Sequence, residues 1–254
     1  ADLCYSMDMH VVIEWLNAVF SSMDKELKAM GSKVVKVETF QNLILVVSGC
    51  PEKSADHAQH CARAAVLMKK AAVRVIRPDG QSTTVRIGIS SGSISAGVVG
   101  AQSPRFSVFG DAVNTASRMA STADASSRSS ISVHLSETTA GLLKKEFLEE
   151  MRKQEGLMLS KRGDGMQIKG KGFMRTYYWK GEGLPTSPKM RAVSPVLRGA
   201  SPLLRGETSP SMHKFWGDLP LPDASLDYEA FGLGPSTPPS SCAQRVSVAS
   251  YFEI

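Results

Sequence analysis

Four cysteines, no long apolar run and no basic stripe threaded with aromatics mark this sequence of 254 residues by what it lacks. Cys4, Cys50, Cys61 and Cys242 are scattered without a C-x-x-C pair, which excludes a zinc-knuckle pattern and a disulfide-dense scaffold and points to a reducing, intracellular setting. No apolar stretch approaches the ~20 residues that span a bilayer, and the opening "ADLCYSMDMH" lacks the basic and apolar regions of a signal peptide. The chain as given is therefore expected to be soluble and cytoplasmic, alone or as the cytosolic domain of a larger protein, with no membrane contact by this segment. Aromatics make up 7% of the residues and do not alternate with Lys and Arg, so nucleic acid is not an expected partner.

What is present is a modest excess of positive charge. The formal net charge is +6, and residues 183–254 hold six basic and six acidic groups, so the excess falls in the first 182 residues, where 24 basic groups face 18 acidic ones. A polyanion such as a nucleoside triphosphate suits that balance, although an ordinary solvated surface produces it too. With 42% hydrophobic residues, the length fits one domain of roughly 150 to 200 residues plus an extension.

Periodicity organises the first 182 residues. Val12, Trp15, Leu16, Val19, Phe20, Met23 and Leu27 recur at three- and four-residue steps and predict an amphipathic helix that stops at Gly31. "KVETFQNLILVVSG" (36–49) reads as two short strands joined by a turn at Gln41 and Asn42. An Ala-rich helix follows, which Ser54 or Asp56 can cap. "TVRIGISSGSISAGVVG" predicts a strand, a glycine turn and a second strand. "PRFSVFGDAVNTASRMAST" passes from a strand into a helix opening at Gly110 and Asp111, with the acid on the positive helix end. A strand and a helix capped at Ser136 come next, and "GMQIKGKGFMRTYYWKGEG" predicts a hairpin turning on its glycines. Interleaved helices and antiparallel hairpins predict an α+β fold, with helices packed on a mixed sheet.

Composition shifts at about Gly183. Residues 183–254 are rich in Pro and Ser, carry Ser-Pro dipeptides at Ser187, Ser194, Ser201 and Ser209 that can accept phosphate, and predict a largely disordered tail after a domain at 1–182.

Asn114 and Arg118 stand four apart on one helix face, where an amide and a guanidinium can hold a sugar and a phosphate; alone, the pattern equally fits a solvated helix. Taken in order and spacing, "KVET" with "VVSG", "RIGISSGSISAGVVG", "FGDAVNTASRM" and "KGKGFMRTYY" resemble the class III nucleotide cyclase catalytic domain over roughly residues 1 to 180, in the pattern of eukaryotic guanylate cyclases. The resemblance implies a ferredoxin-like mixed sheet and a dimer whose active sites lie between two subunits. One partner holds two divalent ions, Mg2+ or Mn2+, on two aspartates, for attack of the ribose 3′ oxygen on the α-phosphate. The other supplies the purine, ribose and triphosphate contacts.

On this sequence the resemblance implies the second set: Glu38 for the purine, Ser107 as its companion, Asn114 for the ribose, Arg118 for the transition state and Arg175 for the triphosphate. A carboxylate at Glu38 accepts from the N1 and N2 donors of guanine, where adenine offers no such pair. Read from the residues alone, Glu38 is instead an exposed strand acid pairing with Lys36. The metal set is not matched. The sequence begins after the point where the family's first strand, with one aspartate, is expected to end, and Gln41 and Asn42 stand where the second is expected. Neutral amides do not replace carboxylates beside two cations. The expectation is a chain that holds no metal alone, is inactive alone, and forms cyclic GMP from GTP as half of a heterodimer, in preference to a homodimer, with a metal-bearing second cyclase-domain subunit. The alternative is a catalytically dead cyclase-like scaffold or dimerisation module. An active homodimer lacking only its first strand is disfavoured by Gln41 and Asn42.

Overall fold

A computed structural model describes residues 8–40, 42–100, 102, 104–124, 131–181 and 244–253, with Glu38, Phe40 and 244–253 described through their backbone. Residues 1–189 together with 242–254 form one compact unit; the other, 190–241, lies outside the described residues, as do Gln41 and the four Ser-Pro sites.

Helix α1 (Met9–Ala29) starts at Asp8, whose carboxylate accepts the His10 N–H at 2.9 Å. Its stripe of Val12, Val19, Met23 and Leu27 is buried, and Gly31, at φ 64°, adopts the left-handed conformation that ends many helices. Burying a side chain such as Met23 contributes about 1.5 to 3 kcal/mol. Strands β1 (Val35–Phe40) and β2 (Leu43–Ser48) form the predicted antiparallel hairpin. In β2, Ile44 and Val46 face the core shared with α1, and Leu45 and Val47 face a second cluster on the other side of the sheet. Both faces of β2 are covered, which is why its sequence is an unbroken apolar run rather than an alternation.

Helix α2 (His57–Val73) packs on α1 and supplies the Ala-rich side of the larger core. Neither predicted cap closes it by side chain. Ser54 Oγ accepts the Asp56 N–H at 3.2 Å, and the Asp56 carboxylate takes Lys144 Nζ at 2.6 Å instead.

The expected strand–turn–strand at 84–100 is one continuous strand, β3 (Arg86–Val99). Its glycines clear space rather than turn the chain. A Cβ on Gly88 would lie 2.1 Å from the backbone N of Ala120, and one on Gly92 3.2 Å from the Ala112 Cβ. Helix α3 (Asp111–Ser121) lies directly against these positions.

The remaining elements are β4 (Arg105–Phe109), β5 (Ser132–Ser136), α4 (Glu137–Leu142), α5 (Lys145–Glu155), β6 (Leu157–Lys161), β7 (Met166–Ile168), β8 (Gly172–Met174), β9 (Thr176–Gly181) and β10 (Gln244–Glu253). Ser136 Oγ accepts the Thr139 N–H at 3.3 Å, capping α4 as predicted. The main sheet runs β1-β2-β10-β3-β5-β9-β6, with β4 paired to β3, and only the β3–β5 pair is parallel. The fold is thus an α+β mixed sheet with helices on it. The tail expected to be largely disordered, 183–254, contributes one strand: β10 lies antiparallel between β2 and β3.

Candidate functional site

The smaller core cluster positions the candidate residues. Leu45, Val47, Ile94, Val108, Ala112, Val113 and Ala116 pack together, with Val35, Val37 and Phe106 against them, so β1, β2, β3, β4 and α3 share one apolar base. Four of the five candidates sit on elements that border it. Glu38 stands in β1 opposite Leu45, and half-buried Ser107 stands in β4 opposite Gly97. Asn114 and Arg118 are on α3.

Helix α3 opens at Gly110, whose φ of 147° and close approach to strand β3 leave no room for a side chain. A Cβ at Gly110 would lie 2.8 Å from the Ser93 carbonyl oxygen. Ala112, Val113, Thr115, Ala116, Met119 and Ala120 bury one side of the helix on β3. That leaves Asp111, Asn114 and Arg118 on its open side at helical spacing. Asn114 is exposed and Arg118 half-buried, and neither side chain has a hydrogen bond or ion pair among the described residues. A half-buried guanidinium with no carboxylate keeps five donors available to an anion.

Asp111 is held in an ion pair by Lys171, from the turn between β7 and β8. This contact ties the glycine-rich hairpin to the start of α3. The sequence places the two residues in separate motifs, and nothing in their spacing indicates that they meet. Arg175, at the junction of β8 and β9, is exposed, and its guanidinium lies 3.8 Å from the Glu137 carboxylate on α4. Lys36 Nζ takes both Asp24 carboxylate oxygens, at 2.7 and 2.6 Å, and the backbone register shifts between Lys36 and Glu38, whose side chain lies outside the described residues.

The far end of α3 rests on a buried imidazole. His134 Nδ1 lies 2.8 Å from the Met119 carbonyl, which fixes the proton on Nδ1, and burial pushes its pKa down to about 4, so the ring is neutral. Arg162 donates to the Thr122 carbonyl at 2.7 Å and closes the same end.

The donor set of the described residues does not fit a metal pair. Among the described residues no group of three or more His, Cys, Asp or Glu side chains could hold an ion. Asn42, in the turn between β1 and β2, is an amide, which offers a neutral oxygen where two adjacent divalent ions require anionic ones. A separate cleft of about 620 Å³ between the end of α1, α2 and α5, lined among others by Lys33, Gln59, His60, Arg63 and Phe147, includes none of the five candidates. No helix among the described residues is long and apolar enough to cross a membrane.

Comparison with known proteins bears on this geometry. Residues 1–181 match the model of the adenylate and guanylate cyclase catalytic domain. Over 178 residues the chain is 36% identical to the soluble guanylate cyclase subunit beta-2 of Rattus norvegicus, covering 70% of this chain and 24% of that protein. The guanylate cyclase domain of RhGC from Catenaria anguillulae, solved in complex with GTP, superposes with a TM-score of 0.59 at 32% identity, covering 70% of this chain and 87% of that one. A non-canonical dimeric guanylyl cyclase domain of the RhoGC fusion protein from Blastocladiella emersonii gives a TM-score of 0.56 at 29% identity, with 70% and 87% covered. The chain spans about a quarter of the length of its curated relative.

Proposed function

Because this chain belongs to the adenylate and guanylate cyclase catalytic domain family, we propose that it is the nucleotide-contacting half of a dimeric guanylate cyclase, converting GTP to cyclic GMP and pyrophosphate with a metal-bearing partner domain. The observation that carries the reading is the open stripe of α3, where Asn114 and Arg118 have no side-chain partner among the described residues on a helix otherwise packed on the sheet. The GTP complex of the Catenaria domain supports it by likeness.

Each residue has a role in this proposal. Glu38 accepts from guanine N1 and N2, and Ser107 donates to O6. Asn114 orients the ribose so that its 3′ oxygen faces the α-phosphorus. Arg118 stabilises the charge that develops as the new P–O bond forms and the bond to pyrophosphate breaks. Arg175 exchanges Glu137 for the triphosphate, an inexpensive exchange because both side chains are exposed. The divalent ions, magnesium or manganese, come with the partner's ligands, and no step is assigned to them on this chain. The working assembly is a heterodimer in the cytoplasm, either as a soluble protein or as the cytosolic part of a larger one.

Turnover of GTP to cyclic GMP is the test, for this chain alone and mixed with a metal-bearing cyclase domain. Activity is expected only in the mixture, and Arg118→Ala lowers it at least ~10²-fold, as loss of one transition-state donor does. An undiminished Arg118→Ala mixture refutes the reading. A second reading, a catalytically dead scaffold or dimerisation module, is favoured specifically by the amides Gln41 and Asn42 in the turn. It predicts dimerisation without turnover in either sample.

A further inference from the structure

Strand β10 reaches the middle of the sheet from the far end of the sequence. Its backbone pairs with β2 at Ser247↔Ser48, Val248↔Val47 and Ala249↔Val46, and with β3 from Gln244↔Ile94 to Glu253↔Arg86, with a register shift between Ala249 and Phe252. Strands β2 and β3 do not pair with each other; among the described strands, β10 alone joins the β1–β2 hairpin to the rest of the sheet. Helix α2 packs against it and against β2 and β3, and α3 packs against it and β3. The core clusters put these two helices on opposite faces.

An empty position there would leave two facing rows of backbone N–H and C=O groups beneath helices on both faces, a costly arrangement because buried backbone groups need partners. Adjacent strands lie ~4.8 Å apart, so the space between β2 and β3 is one strand wide. It is therefore a strand-acceptor slot. Its occupant is attached through residues 182–243, a Pro- and Ser-rich stretch of 62 residues, and loop closure becomes only slowly costlier as such a tether lengthens.

We propose that residues 244–253 are a keystone strand, docked in cis into the slot between β2 and β3 and separable from the rest of the sheet. Docking joins the hairpin that carries Glu38 to the strand that carries α3, so the two ends of the candidate site share one rigid base only when the slot is filled. The docking itself does not rest on the proposed catalytic role, because it is read from the backbone and not from turnover.

Amide hydrogen exchange of the full 254-residue chain, followed by mass spectrometry, tests it. Amides in 244–253 are expected to exchange at least ~10³-fold more slowly than an unstructured chain, as core strands do. Exchange at the free-chain rate overturns the proposal. So does protection that vanishes on dilution together with a dimer, since the strand then sits in a second copy. In the full chain, Val248→Pro removes a ladder donor from a strand paired on both sides. The expected result is faster exchange in β2 and β3 as well as β10, restored by adding a synthetic peptide of residues 242–254. Unchanged protection of β2 and β3 in Val248→Pro, or no restoration by the peptide, refutes a separable keystone. Ser240→Pro, outside the strand, is the control and leaves protection unchanged.

Discussion

Helix α3 and the β1–β2 hairpin border one apolar cluster, yet they are equipped very differently. The helix is fixed by close backbone packing at Gly88 and Gly110, carries on its open face two polar side chains with no partner among the described residues, and is anchored at its start by Lys171 and at its end by His134 and Arg162. The turn carries two amides, Gln41 and Asn42. On the proposed reading, a site shared between two subunits explains this contrast. On that reading each chain needs only its own half of the chemistry, so the proposed nucleotide contacts can be kept in a chain whose hairpin connection carries amides.

The comparison is most easily broken at the packing of α3. Gly88→Ala sets a Cβ 2.1 Å from the Ala120 backbone N, where the obstacle is main chain and cannot swing aside. The expected cost exceeds ~4 kcal/mol, at the severe end for single substitutions, and denaturant unfolding measures it. Gly97→Ala on the same strand, with nothing within 4 Å of the added carbon, is expected to stay within about 1 kcal/mol of the parent.

Protonation of His134 attacks the other end of the same helix. Burial holds its folded pKa at about 4, below the ordinary 6.5, so the unfolded chain binds the proton more readily. This contribution is fully present above pH 6.5 and is lost as the pH falls from 6.5 towards 4. The full loss is about 3 kcal/mol, and a His134→Gln variant should show a flatter stability profile over that window. Equal slopes for the two proteins would remove the imidazole from the account.

The base-contacting end is sharpened by Glu38→Lys. If the carboxylate reads the guanine donors, an ammonium there lowers the preference for GTP over ATP at least ~10-fold in the mixed assay, because it can only donate. An unchanged ratio separates Glu38 from base selection while leaving Asn114 and Arg118 untouched.

How much of this is legible in the sequence depends on whether the signal is local. Helix α1 and the buried run of β2 are readable because one apolar stripe or one apolar run carries each. The opening of α3 at Gly110 and Asp111 is visible for the same reason. The continuous β3 is not, because glycines that turn a chain and glycines that admit a neighbouring helix look alike in sequence. Helix α5 escapes the reading since its buried anchors are only Phe147 and Met151, too few to set a period. Strand β10 is hidden by the Pro- and Ser-rich composition before it. Within the site, the residue types and their order are legible, whereas the diversion of Lys36 to Asp24 and of Arg175 to Glu137 depends on contacts distant in sequence.

The smallest effect expected is at the pair that links the glycine-rich hairpin to α3. Lys171 is mostly covered but Asp111 is largely exposed, so solvent screens the attraction and its share of stability is at most ~1 kcal/mol. Asp111 also gains from the helix N-terminus, which persists when Lys171 is removed. Lys171→Ala should therefore move the unfolding midpoint only slightly, and less again in high salt. Its value lies in exchange rather than in stability: if the pair is what fastens the hairpin, amides of β7 and β8 will exchange faster in the variant while those of α3 stay as slow as before. Faster exchange in α3 as well would mean that the hairpin braces the helix, and that the two anchors of α3 are not independent.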